Sequence, residues 1–276
     1  MEAKFAVKNG KIIKSEDATI SVFNKSMFFD FAVYSNIKVV NRKMFMPELE
    51  IDTLIESAKS IELKHGFTKL QIMEWAESLI KKCNLNDAIM RLLLIGAESI
   101  DDVILFIFPV GLTFYPEKFY KQGVKLITFK GERFMPQAKT KNMLMSYIAF
   151  KKAQENGALD ALLVDNDGNI TEGTRCSFFA IKGNTLIAPP KEHALSGITR
   201  KIILELAPRI LEVKEWPIRV EKLKDYDELF ISSTSMNIIP VNQIDNAIIC
   251  DKAGEKVKEL QRLYKELTSN NFNKKV

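Results

Sequence analysis

No apolar run in this sequence approaches the ~20 residues needed to cross a bilayer. The longest, Val103 to Val110, has the length of a strand. The core must therefore be assembled from short strands and amphipathic helices, and periodicity says where they lie. Lys4 to Ile13 alternates apolar and polar around Asn9-Gly10, a two-residue hairpin signal. Ser35 to Val40 and Lys43 to Phe45 form a second strand pair around Asn41-Arg42. Ile51 to Ile61 and Lys69 to Lys82 have helical spacing, and Met90 to Ile95 is a further strand. Together they read as one α+β unit. Gly111 to Tyr120, with Pro116 and several aromatics, breaks the pattern and reads as a linker, which divides the chain at 1–115 and 116–276.

Beyond the linker, Val124 to Phe129 predicts a strand. Asn142 to Asn156 predicts a helix stopped by Gly157. Ala161 to Val164 is a buried strand followed by the turn cluster Asp165 to Gly168. Ser177 to Lys182 and Thr185 to Ala188 form a hairpin around Gly183-Asn184. Gly197 to Ala207 starts a helix, Leu229 to Ser232 is a short strand, and Lys256 to Leu267 is a closing amphipathic helix. Ser269 to Val276 reads as a frayed tail.

Composition narrows the class. The formal charge of +5 is mild and the basic residues are interleaved with acids, which argues against a nucleic-acid binder. Cys83, Cys176 and Cys250 are sparse, odd in number and without metal-ligand spacing, as expected of reduced thiols in a cytoplasm. Two histidines, His65 and His193, are too few for a histidine-based metal site. The start of the chain has no apolar signal core. The expectation is a cytoplasmic protein with no metal, no membrane and no nucleic-acid partner.

The informative stretch runs from Lys139 to Pro240. It holds Lys139-Thr140-Lys141-Asn142, then Thr171-Glu172-Gly173, then Leu195-Ser196-Gly197-Ile198-Thr199-Arg200, then Ser232 to Ser235 followed by Ile239-Pro240-Val241. In isolation each is ordinary: surface lysines, a turn glutamate, a capped helix, a core leucine. In this order and spacing they resemble the class IV, or fold-type IV, enzymes that use pyridoxal 5'-phosphate (PLP). That group includes branched-chain aminotransferases, D-amino-acid aminotransferases and aminodeoxychorismate lyases. The Val7 to Lys11 hairpin is similar to the family's opening strand pair.

The resemblance implies an α/β (α+β) fold of two domains, a small N-terminal α+β domain and a larger, β-barrel-like C-terminal domain with helices. It implies a PLP-dependent aminotransferase acting on a small amino acid and a 2-oxo acid, as a homodimer. An aminodeoxychorismate lyase-like enzyme and a non-catalytic relative are the alternatives. PLP needs an amine for a Schiff base. The family spacing, three residues before Asn142, selects Lys139 over Lys141. The ring nitrogen needs an anionic partner, a position matched by Glu172, and the pair should hold Glu172 ionised. The phosphate needs donors, which the helix start at Gly197, Ile198 and Thr199 and the loop at Thr234 and Ser235 supply. Leu195 matches the residue against the ring face, and Tyr34 a substrate-facing tyrosine.

Several positions depart from the family. Its His-x-x-Arg, whose arginine contacts the phosphate, aligns with Glu50-Ile51-Asp52-Thr53. Losing the arginine removes a fixed cation, for which Lys38, Arg42 and Lys141 are candidate substitutes. Ser35 replaces a usual glutamate, Phe31 and Ala32 replace smaller residues, and Ser177 replaces an asparagine. Ile95 stands where some members carry an arginine, and Asn237 and Ile239 replace a glutamate and a threonine. The lysine–glutamate–helix set is kept, while the phosphate and substrate surroundings differ.

Overall fold

The computed structural model describes residues 4–24, 26–250 and 252–273, with side chains to 269. The chain forms two compact units. One comprises the residues up to Thr113, the segment Ala138–Asn142 and the end of the chain from Thr268; the other comprises Phe114–Gln137 and Met143–Leu267.

In the first unit, β1 (Phe5–Lys8), β2 (Lys11–Lys14), α1 (Ser26–Phe29), β3 (Ala32–Val40), β4 (Lys43–Phe45), α2 (Pro47–Ser60), α3 (Lys69–Cys83), β5 (Ala88–Ile95) and β6 (Ile104–Val110) follow in order. The six strands make one antiparallel sheet in the order β2-β1-β6-β5-β3-β4. The expected hairpin forms because Asn9 and Gly10 both take positive φ, 46° and 83°. Trp75 closes over Gly10, where a Cβ would lie 2.7 Å from its ring. Thr68 and Gln71 cap α3 reciprocally, and Asn84 ends it in the left-handed region. One face of the sheet (Val33, Ile37, Met90, Leu92, Leu94, Leu105) packs on Ile51, Leu54, Ile72 and Leu79 of α2 and α3. Each such fully buried side chain contributes about 1.5–3 kcal/mol.

The second unit contains α4 (Glu117–Gln122), β7 (Val124–Lys130), α5 (Leu144–Glu155), β8 (Asp160–Val164), β9 (Asn169–Gly173), β10 (Ser177–Lys182), β11 (Thr185–Ala188), α6 (Ile198–Leu206), β12 (Glu212–Glu215), β13 (Ile218–Arg219), β14 (Glu228–Ser233), β15 (Asn237–Ile244) and β16 (Ala247–Ile248). The helix α7 (Glu255–Asn273) follows. The sheet is mixed, in the order β12-β11-β10-β14-β15-β7-β8-β9-β13, with β16 on β15. Its core gathers Leu126, Leu162, Phe178, Ile231, Ile239 and Val241.

Three local expectations change. The linker contains a helix, α4, started after Pro116. The tail continues α7 to Asn273, and residues 274–276 lie outside those described. Sequence periodicity also misses β15, whose Ile239-Pro240-Val241 enters the sequence reading only as part of the motif set. In the structure Pro240 pairs with Phe230 of β14, while the parallel pairing with β7 begins one residue later, at Val241 and Val124. The proline thus sits where no ladder bond to β7 is required.

Candidate active site

In the first unit the site is built on the edge of β3. The segment Lys139–Lys141 lies alongside that strand: Tyr34 N donates to Lys139 O at 2.9 Å, and Lys141 N donates to Ala32 O at 2.9 Å. Lys139 N donates to Ser57 Oγ at 3.0 Å. This lattice of backbone bonds sets the direction of the Lys139 side chain. Its Nζ lies 3.3 Å from Glu50 Oε2, and the same oxygen accepts from Ser35 Oγ at 2.5 Å. Glu50, Thr53 and Ser57 follow one another along a buried stripe of α2. The Thr53 hydroxyl donates to Leu49 O at 2.8 Å, within its own helix.

The strand period of two puts Tyr34 on the opposite face of β3 from Ser35. There it shares a surface with Asn36 and the cross-strand Arg91. Arg91 Nε donates to Asn36 Oδ1 at 3.2 Å, and its guanidinium lies 5.8 Å from the Tyr34 ring centre. Lys38 is half-buried on the same face, with its pKa lowered by desolvation. Of the other candidate cations, Lys141 pairs with Asp30 at 2.8 Å and is 40% exposed, and Arg42 is exposed in the β3–β4 turn.

In the second unit Glu172 lies in β9, buried in the sheet. Its Oε1 is 3.4 Å from Arg133 Nη1, and its Oε2 accepts from Leu195 N at 3.4 Å. Burial raises the carboxyl to about 7 despite the opposing pull of Arg133, the Leu195 N–H and Arg200. The protein alone therefore does not hold Glu172 fully ionised at neutral pH. A ring-nitrogen cation beside it would push the other way.

The α6 helix opens at Gly197 in extended conformation, with no side chain capping it; Ile198 and Thr199 are buried in its first turn. Arg200, next in that turn, is 2% exposed and donates to Pro189 O at 2.6 Å. Thr234 and Ser235 lie in the turn between β14 and β15, where Ser233 Oγ accepts from Met236 N at 3.2 Å and meets Ser235 Oγ at 3.3 Å. Arg133, Glu192 and His193 line a cleft of about 400 Å³ in this unit.

The structure thus brings Glu172 and Leu195 together. Lys139 and Tyr34 are joined by backbone, with their side chains on different surroundings of β3. Sequence reasoning missed Arg133, Arg91 and the contact of Ser35 with Glu50. Arg133 carries no local motif. Ser35 and Glu50 had a signal: both depart from the family pattern, one losing a carboxylate and one gaining it, and the two positions touch.

A phosphorylated pyridine aldehyde asks for a lysine amine, an acid for its ring nitrogen and donors for its phosphate. The residues present fit it. Lys139 is a buried amine in a polar lining, and Glu172 is a buried carboxyl that already accepts an N–H and a cation. Ser232 Oγ, adjoining the Ser233–Ser235 turn, is buried without a hydrogen-bond partner among the described residues. In this protein no group of His, Cys, Asp or Glu among the described residues is arranged to hold a metal ion.

The family pattern described as amino-transferase class IV matches residues 32–244. A protein of Methanocaldococcus jannaschii assigned as a branched-chain-amino-acid aminotransferase is 31% identical over 275 residues, covering 94% of this chain and 94% of that protein. A D-alanine aminotransferase of Bacillus licheniformis is 28% identical over 254 residues, with 87% and 88% covered. The solved branched-chain amino acid aminotransferase of Escherichia coli superposes with a TM-score of 0.87 at 25% identity, covering 98% of this chain and 96% of that one. The two-domain mixed α/β fold is therefore that of the fold-type IV aminotransferases.

Proposed function

We propose, on the premise that this chain belongs to the class IV aminotransferases, that Lys139 is its cofactor-bearing lysine and Glu172 the partner of the ring nitrogen. The chain is a PLP-dependent transaminase acting on small amino acids. The relatives are aminotransferases, so the lyase reading is not favoured. The observation that carries the assignment is the contrast between two lysines. Lys139 is 8% exposed in a polar lining, whereas Lys141 is half-exposed and tied to Asp30.

Bound, the cofactor supplies an aldehyde that condenses with amines and a ring that accepts the electron pair of the substrate α-carbon. The chain's own residues do the rest. With the cofactor bound, the Lys139 amine would take the substrate α-proton and return it. Glu172 holds a proton at the ring nitrogen, steadied by Arg133 and the Leu195 N–H. Gly197, Ile198, Thr199, Thr234 and Ser235 would offer backbone and hydroxyl donors to the phosphate, and Leu195 would lie against the ring. Tyr34 and Arg91 share one surface, suited to a substrate carboxylate and its apolar side chain.

Among small amino acids we favour branched-chain donors, following the 31%-identical relative. We assign the working domains as 1–115 and 116–276. A homodimer is supported by Phe23, Phe28 and Phe29, which are 89%, 78% and 76% exposed in the single chain. Light scattering should give twice 31.5 kDa; the single mass would refute the dimer. That Cys83, Cys176 and Cys250 form no disulfide supports a cytoplasmic location. No helix among the described residues is long and apolar enough to cross a membrane.

The test is borohydride reduction of the loaded enzyme followed by peptide mapping. A cofactor adduct on Lys139 is expected, and one on Lys141 would overturn the assignment. A panel of leucine, valine, isoleucine and D-alanine with 2-oxoglutarate then decides the donor; preference for D-alanine would overturn the branched-chain reading.

A further inference from the structure

Two departures from the family pattern meet at the cofactor lysine. Position 35 has lost a carboxylate and position 50 has gained one, and Ser35 Oγ donates to Glu50 Oε2 at 2.5 Å. Lys139 Nζ stands 3.3 Å from that oxygen. Glu50 is 2% exposed, and its place in the first turn of α2 is fixed by the buried Ile51 and Leu54 beside it. The backbone of Lys139 is pinned on both sides, by Ser57 Oγ and by Tyr34 N. The backbones that carry the two charges are therefore held in place by buried structure.

From this geometry we infer that Glu50 is a positioning residue that competes with the cofactor for Lys139 and so sets how fast the enzyme loads. The inference rests on the reading of Lys139 as the cofactor lysine. Capture joins the lysine nitrogen to the aldehyde carbon of PLP. The carbonyl oxygen leaves as water, taking two of the three ammonium hydrogens, and a protonated C=N bond remains. Nothing is oxidised or reduced. The nitrogen needs its lone pair to attack, so the bond to Glu50 must open first. A charge-assisted bond in a buried site opposes that opening. Ser35 shares the same carboxylate oxygen and so weakens the hold of Glu50 on the lysine.

The test compares full-length protein freed of PLP by dialysis, for wild type, Glu50→Gln and Ser35→Ala. PLP is added, loading is followed by absorbance, and the adduct is trapped with borohydride and mapped. Glu50→Gln should load about tenfold faster. Ser35→Ala should load about threefold slower, because the carboxylate loses the Ser35 hydroxyl that shares its oxygen with Lys139. Fluorescence then measures non-covalent PLP affinity in Lys139→Ala with and without Glu50→Gln, where the effect of Glu50 should vanish. Unchanged loading rates with the adduct on Lys139 would overturn the role of Glu50 and leave the lysine assignment standing. An equal effect of Glu50→Gln in the Lys139→Ala background would also overturn it. An adduct on another lysine would overturn the assignment beneath it. If Glu50→Gln does not fold, the opposite sign expected of Ser35→Ala still decides.

Discussion

The Arg133 guanidinium stands 3.4 Å from the Glu172 carboxylate, and the two side chains are 9% and 6% exposed. They come from a loop after β7 and from β9, 39 residues apart in sequence. Burial on one side, and Arg133, Arg200 and the Leu195 N–H on the other, leave this acid poised between its charged and neutral forms.

Replacing Glu172 by Gln should leave PLP bound while lowering kcat by about 100-fold, since a neutral amide cannot stabilise a protonated ring nitrogen as a carboxylate does. Steady-state kinetics beside a PLP titration check it. An unchanged kcat would remove Glu172 from the ring-nitrogen role.

The same residue predicts a pH dependence of stability in the cofactor-free protein. Its carboxyl is raised from 4.5 to about 7. The folded state thus binds the proton more tightly than the unfolded state. The stabilisation is fully present below about 4.5 and is lost as pH rises through about 7. The shift corresponds to about 3 kcal/mol. Urea unfolding at pH 5 and pH 8 should show wild type losing about that much relative to Glu172→Gln. A parallel pH dependence of the two proteins would contradict it.

Thr53→Arg restores a cation on the buried stripe of α2, one turn from Glu50. Its guanidinium should pair with Glu50, leave Lys139 free and add a donor for a phosphate dianion. PLP affinity measured by fluorescence should tighten about tenfold. In wild type, which lacks this cation, PLP should be lost on extended dialysis; retention would point to Lys38 as the substitute.

Asp160 is fully buried, and its carboxylate accepts from Thr174 Oγ1, Ala161 N at 2.8 Å and Cys176 Sγ at 3.5 Å. It ties down the turn that follows Glu172. Asp160→Ala strands those donors and should destabilise the protein by about 2–4 kcal/mol, seen as a lower urea midpoint. A change within ~0.5 kcal/mol, the scale of an ordinary surface substitution, would show that the donors find water.

Most strands and helices, and the residue types of the cofactor set, are determined locally and were legible. Asn9-Gly10 forces a hairpin wherever it lies between alternating residues, and the periodicity of α3 needs nothing beyond its own face and cap. The motif order from Lys139 to Ser235 likewise needs only the chain itself. Sequence could not show which charges meet. Glu50 and Lys139 are 89 residues apart and touch because the Lys139 segment lies along the edge of β3 while α2 packs on its face. Nor does Pro240 announce a strand, since its place in β15 depends on where β7 begins to pair. The state of Glu172 is also a tertiary property. Any carboxylate prefers its charged form in water, and only the depth of β9 in the sheet, outweighing Arg133, raises it toward neutrality.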